Sequence, residues 1–406
     1  MTPGDRDTVT RMRALLGALT LVLLVPAAPA TATVAAAATA AAAEAKPAAA
    51  KQQTAERKAL PTLRVRRQVR GLQLPWDVQP IPGRRLLITE RDSAHLLIRK
   101  NGHTRRVKFP SRKVWVSGET GLASLEIDPG FATNGRFYTC SGWKKRGGGH
   151  DVRVNAWRLN DRGTRARHLR TLVDGFPTSS GRHGGCRLLI TRNGALIVGT
   201  GDAAQSNNPR NLNSLGGKTL RLDRMTGAPW PTNPFINAAN ANRRYVHTYG
   251  HRNVQGLAQR ADGTLWSVEH GPGIQDEVNR LGAGRDYGWQ PGPGYNEGVP
   301  MTDQSLRGRQ FHARWSSGPT PATSGAAWVK GRKWGRLNGS LAVACLEGNR
   351  VIFMKFNRNG RLKWTRAPRA LRQYGRLRSV STAPNGSLLI TTSNGSRDSI
   401  LRVSPR

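Results

Sequence analysis

Cys186-Arg187-Leu188-Leu189-Ile190-Thr191-Arg192-Asn193-Gly194-Ala195-Leu196-Ile197-Val198 reads as two short apolar strands joined by an Asn-Gly turn. Asn-Gly accepts the positive φ of a tight turn and the aliphatic flanks supply a buried face, so the stretch predicts an antiparallel hairpin. The pattern recurs. It runs from Trp76-Asp77-Val78 through Pro82-Gly83 to Leu86-Leu87-Ile88, and from residues 122–127 through Asp128-Pro129 to Phe137-Tyr138. It returns from Leu257-Ala258 through Asp262-Gly263 to residues 265–268, from residues 326–329 through a longer turn to residues 341–343, and from Val380 through Pro384-Asn385-Gly386 to residues 388–390. One such hairpin is commonplace, but six in series at a mean spacing of roughly 60 residues leave room for two more strands in each repeat. The expected fold is all-β, a six-bladed β-propeller with four-stranded antiparallel blades over residues 61–406. A β-sandwich also supplies hairpins, yet it does not need six similar ones at wide intervals. Residues 63–69 are expected to close the ring by pairing with residues 400–403 in the last blade.

Composition agrees with many short elements joined by tight turns: 46 Gly and 24 Pro accompany 11 Trp and 37% hydrophobic residues in a chain of 406. Wholesale disorder is excluded. Lys and Arg total 64 against 24 Asp and Glu, a formal charge of +40, which calls for an anionic neighbour such as nucleic acid, a membrane surface or an acidic wall polymer. Location narrows the choice. Arg6, Arg11 and Arg13 precede an apolar run at 15–25, and Ala28-Pro29-Ala30 offers a cleavage site, so residues 1–30 read as a secretory signal peptide. Residues 31–60 are Ala-rich with almost no large apolar side chains and read as a disordered linker. The apolar run is too short to span a bilayer, so no stable membrane insertion is expected after cleavage. The protein is expected to be secreted or attached to the cell surface. No helix-turn-helix, zinc-finger or RNP-like pattern is present, so no nucleic-acid partner is expected and an anionic cell-wall polymer remains the candidate for the charge. Of three cysteines, Cys140 ends the second strand of the second repeat and Cys186 begins the first strand of the third. A disulfide between them is expected, with Cys345 free in a buried strand; three reduced thiols are the alternative.

In an antiparallel hairpin the start of the first strand and the end of the second lie at one edge. If the first strand of each blade lines a central channel, the six blades together place a ring of side chains at its mouth. The strand starts supply Trp76, Glu119, His183, Arg252, Asn253, Gln255, Thr320, Ser324, Arg376 and Arg378. The strand ends supply Glu90, Asp202, Glu269, His270, Glu347 and Asn394. An imidazole, guanidiniums and carboxylates converging on one pocket predict chemistry on a small anionic ligand.

Several runs now carry a resemblance. They are Leu74-Pro75-Trp76-Asp77, Gly118-Glu119-Thr120-Gly121-Leu122, His183-Gly184-Gly185-Cys186-Arg187-Leu188, Gly199-Thr200-Gly201-Asp202, Leu212-Asn213-Ser214-Leu215-Gly216-Gly217-Lys218, Tyr249-Gly250-His251-Arg252-Asn253-Val254-Gln255-Gly256-Leu257, Glu269-His270-Gly271-Pro272 and Tyr287-Gly288-Trp289. From about residue 72 to 403 the chain resembles the soluble sugar dehydrogenases that use pyrroloquinoline quinone (PQQ), the glucose/sorbosone dehydrogenase-like propellers. The resemblance implies a PQQ-dependent aldose dehydrogenase with a sugar substrate and an electron acceptor it does not identify. It makes His183 the base at the anomeric hydroxyl and Asp202 its support. Arg252, Arg376 and Arg378 become cations for the cofactor's carboxylates and quinone oxygen, with Asn253, Glu119 and Thr320 also at the cofactor. It implies a calcium ion held partly by the backbone carbonyls of Gly271 and Pro272; Asp276 and Glu277 are nearby acids, open to a role as ligands or as salt-bridge partners instead. Three positions depart from the pattern: Arg182 stands where an acidic substrate contact is usual, Glu347 where a lysine is usual, and Gly318 where Trp is expected. Two other readings remain, a non-catalytic propeller binding glycans or wall polymers, and a calcium-dependent lactone or ester hydrolase lacking a clear acidic cluster.

Overall fold

A computed structural model describes residues 60–406. The expected signal peptide (1–30) and linker (31–60) lie outside the described residues, Leu60 apart. Within them, the strands form six four-stranded antiparallel sheets. Blade one is β2–β5 (Pro75–Ile81, Arg85–Glu90, Leu96–Lys100, His103–Arg106) and blade two β6–β9 (Leu122–Ile127, Arg136–Lys144, His150–Leu159, Ala166–Phe176). Blade three is β10–β13 (Arg187–Ile190, Ala195–Gly199, Lys218–Asp223, Val246–Tyr249) and blade four β14–β17 (Val254–Gln259, Leu265–Glu269, Glu277–Leu281, Trp315–Ser316). Blade five is β18–β21 (Thr323–Trp328, Leu341–Cys345, Arg350–Phe356, Leu362–Arg366). Blade six joins β22–β24 (Leu377–Thr382, Leu388–Thr392, Asp398–Pro405) to β1 (Leu63–Leu72). β1 lies antiparallel to β24, Leu63 opposite Pro405 and Leu72 opposite Asp398, so the ring closes as expected. Closure leaves neither end of the ring as an unpaired blade.

The apolar layers lie between neighbouring blades. Tyr138 and Val154 of blade two pack with Leu196 and Leu220 of blade three, Trp266 of blade four with Trp328 and Phe356 of blade five, and Phe353 of blade five with Leu388 and Leu401 of blade six. The first strands of the blades neighbour one another around the channel. Five of these six strands, β2, β6, β14, β18 and β22, slip register near their starts, and Trp76, Ser124, Gln255, Ser324 and Arg378 fall within the bulges. A bulge breaks the alternation of side chains and re-aims one of them. Here bulge residues meet inside the channel: Asp77 accepts from Ser124 Oγ at 3.2 Å, Leu125 N at 3.1 Å, Arg187 Nη1 at 2.8 Å and Ser379 Oγ at 2.7 Å. One carboxylate therefore ties four blades together. Arg187 also lies over Trp76, 4.1 Å from its ring centre, with Arg378 at 5.7 Å.

Cys140 and Cys186 form the expected disulfide between blades two and three, their Cα atoms 5.8 Å apart. β7 runs on to Lys144, so Cys140 sits within the strand rather than at its end. Cys345 is free and buried, and burial pushes its thiol up to about 12. Among the described residues no helix is long and apolar enough to cross a membrane.

Candidate active site

His183 sits on the loop before β10 with φ at 51°, pressed against the turn that follows β11. The approach demands glycine: a Cβ on Gly201 would lie 1.8 Å from the His183 carbonyl oxygen, and one on Gly185 would lie 2.5 Å from Gly201 N. Blade four fixes the same turn. Asp202 N donates to Arg252 O at 2.8 Å, and Asn253 Oδ1 accepts from Gly185 N at 3.2 Å. The His-Gly-Gly, Thr-Gly-Asp and His-Arg-Asn runs thus form one packed unit.

His183 Nδ1 lies 2.8 Å from Asp202 Oδ1 and 2.9 Å from the Tyr295 hydroxyl. Asp202 is fully buried and accepts three further bonds, from Ala204 N at 2.9 Å, Trp289 Nε1 at 2.7 Å and the Tyr295 hydroxyl at 2.7 Å. A carboxylate oxygen accepts, so in this contact Nδ1 carries the ring proton and Nε2 keeps a free lone pair. Burial first, and Asp202 second, push the Tyr295 phenol far above its ordinary value, so it stays a donor.

The cations stand close by. Arg252 donates to Glu297 Oε1 through Nε at 2.9 Å and Nη2 at 2.6 Å, and to His270 O through Nη1 at 3.0 Å. The other oxygen of Glu297 accepts from Arg182. Burial favours the neutral acid, but Arg252 and Arg182 outweigh it and hold Glu297 below its usual range. Arg378 is buried and hydrogen-bonds Gln255 Oε1 at 3.1 Å, with no carboxylate in ion-pair contact among the described residues. Burial first, then the Arg91, Arg187 and Arg376 charges, pull it down to about 9, against the opposing pull of Glu119. The buried Nε2 of His270 has no hydrogen-bond partner among the described residues, and burial, Arg378, Arg252 and His183 keep that ring neutral. Groups from blades three, four and six therefore act at one place.

A family profile for glucose/sorbosone dehydrogenase matches residues 72–402. The chain belongs to the glucose/sorbosone dehydrogenase family. Membership makes it an oxidoreductase acting on sugar CH–OH groups. Aldose sugar dehydrogenase YliI of Escherichia coli is 32% identical over 308 residues, 72% of this chain and 79% of its own. The crystal structure of the soluble aldose sugar dehydrogenase of Escherichia coli in the apo form superposes with TM-score 0.77 at 28% identity, over 85% of this chain and all of that one. The PQQ-bound aldose sugar dehydrogenase of Streptomyces coelicolor superposes with TM-score 0.69 at 28% identity, over 85% of this chain and all of that one.

The remaining expected positions of this family member divide plainly. Glu119 accepts from Asn253 Nδ2 at 3.0 Å, and Arg376 is exposed with no side-chain partner among the described residues. Thr320 gives its hydroxyl to Asp276, which also accepts from Gly271 N and Thr323 N, so Asp276 pins two loops together. Glu277 accepts from Asn279 and Thr302. The carbonyls of Gly271 and Pro272 accept no backbone or side-chain hydrogen bond within the described residues. No cluster of three or more His, Cys, Asp or Glu side chains there could hold a metal, so a cation at this loop would rest on carbonyls. Glu90, Glu269 and Asn394 are bound to nearby backbone and side chains. Glu347 is exposed, with no side-chain partner among the described residues. Sequence reasoning missed Tyr295 and Glu297. Their one local signal is a polar, aromatic insert in the Gly/Pro-rich run at 291–298.

Proposed function

We propose that the protein is an exported, PQQ-dependent aldose dehydrogenase in which His183 removes the proton from the sugar's anomeric hydroxyl. The observation that carries the reading is the buried Arg378 guanidinium, which lies among other arginines and has no carboxylate of its own among the described residues. A buried cation without a counterion is costly, and an anionic ligand relieves it. PQQ, a tricarboxylate, fits that need, and the unpartnered His270 Nε2 is a further polar atom awaiting a contact. Arg378, Arg376 and Arg252 would hold the cofactor, with Asn253, Glu119 and Thr320 around it. The carbonyls of Gly271 and Pro272 would face calcium, a hard cation suited to oxygen donors. When bound, PQQ supplies the hydride acceptor.

The chain's own part is proton transfer and charge placement. Nε2 of His183 accepts the anomeric proton. Asp202, bonded to Nδ1–H, holds the ring's orientation and stabilises the imidazolium that forms. Tyr295 and Trp289 hold Asp202 in turn. Arg252 provides positive charge beside the base. Export rests on the basic, apolar and Ala-x-Ala signature of residues 6–30. The deciding experiment incubates purified protein with PQQ, calcium, a panel of aldoses and a redox dye. Sugar-dependent dye reduction is expected; a folded protein that binds PQQ yet reduces no dye with any aldose overturns the reading.

A further inference from the structure

The active site uses few of the chain's cations, and one surface gathers others. Three cavities of about 590, 700 and 400 Å³ run together along the outer strands of blades one and two. The first and second share Lys108, Phe109 and Lys113; the first and third share Arg165 and Arg167. Backbone pairing builds the groove: Lys108 N donates to Thr164 O and Ala166 N to Lys108 O, bringing the two outer edges together. Arg106, Lys108, Arg112, Lys113, Arg165 and Arg167 are all exposed, and none of their side chains makes a hydrogen bond or ion pair within the described residues. Asp161 is the sole acid on the lining. Arg153 also lines the groove, but it is paired with Asp151.

We propose that this groove docks an anionic cell-envelope polymer of phosphodiester-linked polyol or sugar units, retaining the enzyme near the cell. Unpaired cations along a continuous groove match a chain of repeating anions better than a single small ion. Single-stranded nucleic acid stacks on open aromatic faces, and here Phe109 and Trp143 are only partly exposed. Trp157 is fully buried, and Phe109 packs on it with ring centres 4.6 Å apart.

The test measures binding of poly(glycerol phosphate) teichoic acid, with oligo(dT) in parallel, at several salt concentrations. K108E/R165E/R167E/K113E is compared with R332E/K333E/R358E/K363E, which makes the same charge change on blade five. K108Q/K113Q/R165Q/R167Q stands in if reversal lowers the melting temperature. The groove variants should lose at least tenfold in affinity, with a log–log salt slope shallower by about three to four, while the control loses less than threefold. Equal losses in both sets, or no binding by wild type, overturn the proposal. Groove-dependent binding of oligo(dT) without the polymer also overturns it, in favour of nucleic acid. Dye reduction should stay unchanged in every variant, which separates this test from that of the dehydrogenase reading.

Discussion

His183 illustrates how one side chain draws its chemistry from neighbours. Its inner nitrogen is fixed by Asp202 and Tyr295, and Nε2 makes no hydrogen bond within the described residues. His183→Ala should therefore abolish sugar-dependent turnover while PQQ affinity, measured by fluorescence titration, changes little; a parallel loss of affinity would reassign the residue to binding. Tyr295 acts through Asp202. Tyr295→Phe keeps the ring and removes one donor, so kcat should fall about tenfold with the sugar KM within about twofold. A change confined to KM would place the hydroxyl on the substrate instead. Glu347 poses a simpler question, because the exposed carboxylate has no partner to lose. Glu347→Lys should tighten PQQ by about threefold, the scale of one screened charge. Unchanged affinity would show that the side chain does not reach the cofactor.

At the scale of elements, the hairpins were legible because their signals are local. Asn193-Gly194 and its aliphatic flanks fix a turn and two strands without reference to the rest of the chain. The bulges were not legible, since they depend on partners such as Ser379 and Asp77, which lie 302 residues apart. The same holds for the loop carrying Tyr295 and Glu297, whose carboxylate meets Arg182 across 115 residues and Arg252 across 45. His183, Asp202 and Arg252 could be read in advance because short glycine-bearing runs surround each. The loop has a consequence for binding. Glu297 engages both Nε and Nη2 of Arg252, the guanidinium proposed to face the cofactor, so loop and cofactor compete for one cation. Glu297→Gln should tighten PQQ by about threefold, a surface-scale charge effect. Weaker binding in that variant would mean that Glu297 orients Arg252 rather than competing for it.

Across the whole molecule, stability rests on ring closure by β1 and on buried carboxylates, and some of those carboxylates titrate. Glu277 is buried and shares the Asn279 amide with Glu269, at 3.1 and 2.7 Å. Burial first, and the neighbouring Glu269 charge second, push Glu277 up to about 8 from 4.5. The folded state therefore holds a proton that the unfolded chain releases between those values. The resulting stabilisation is complete below about pH 4.5 and is lost as pH rises through about 8. Glu126, pushed up to about 8 by burial and then by Asp77, slopes the same way. Glu277→Gln replaces the acid with a permanently neutral amide of similar shape. Its melting temperature should exceed that of wild type by about 2–4 °C at pH 8, a shift of roughly 2 kcal/mol for a chain of this size. Near pH 4.5 the difference should shrink towards zero, and a shallower slope should remain because Glu126 still titrates. Melting curves of both proteins across pH 4.5–8.5 make the comparison, and parallel lines would show that Glu277 is already ionised in the folded protein.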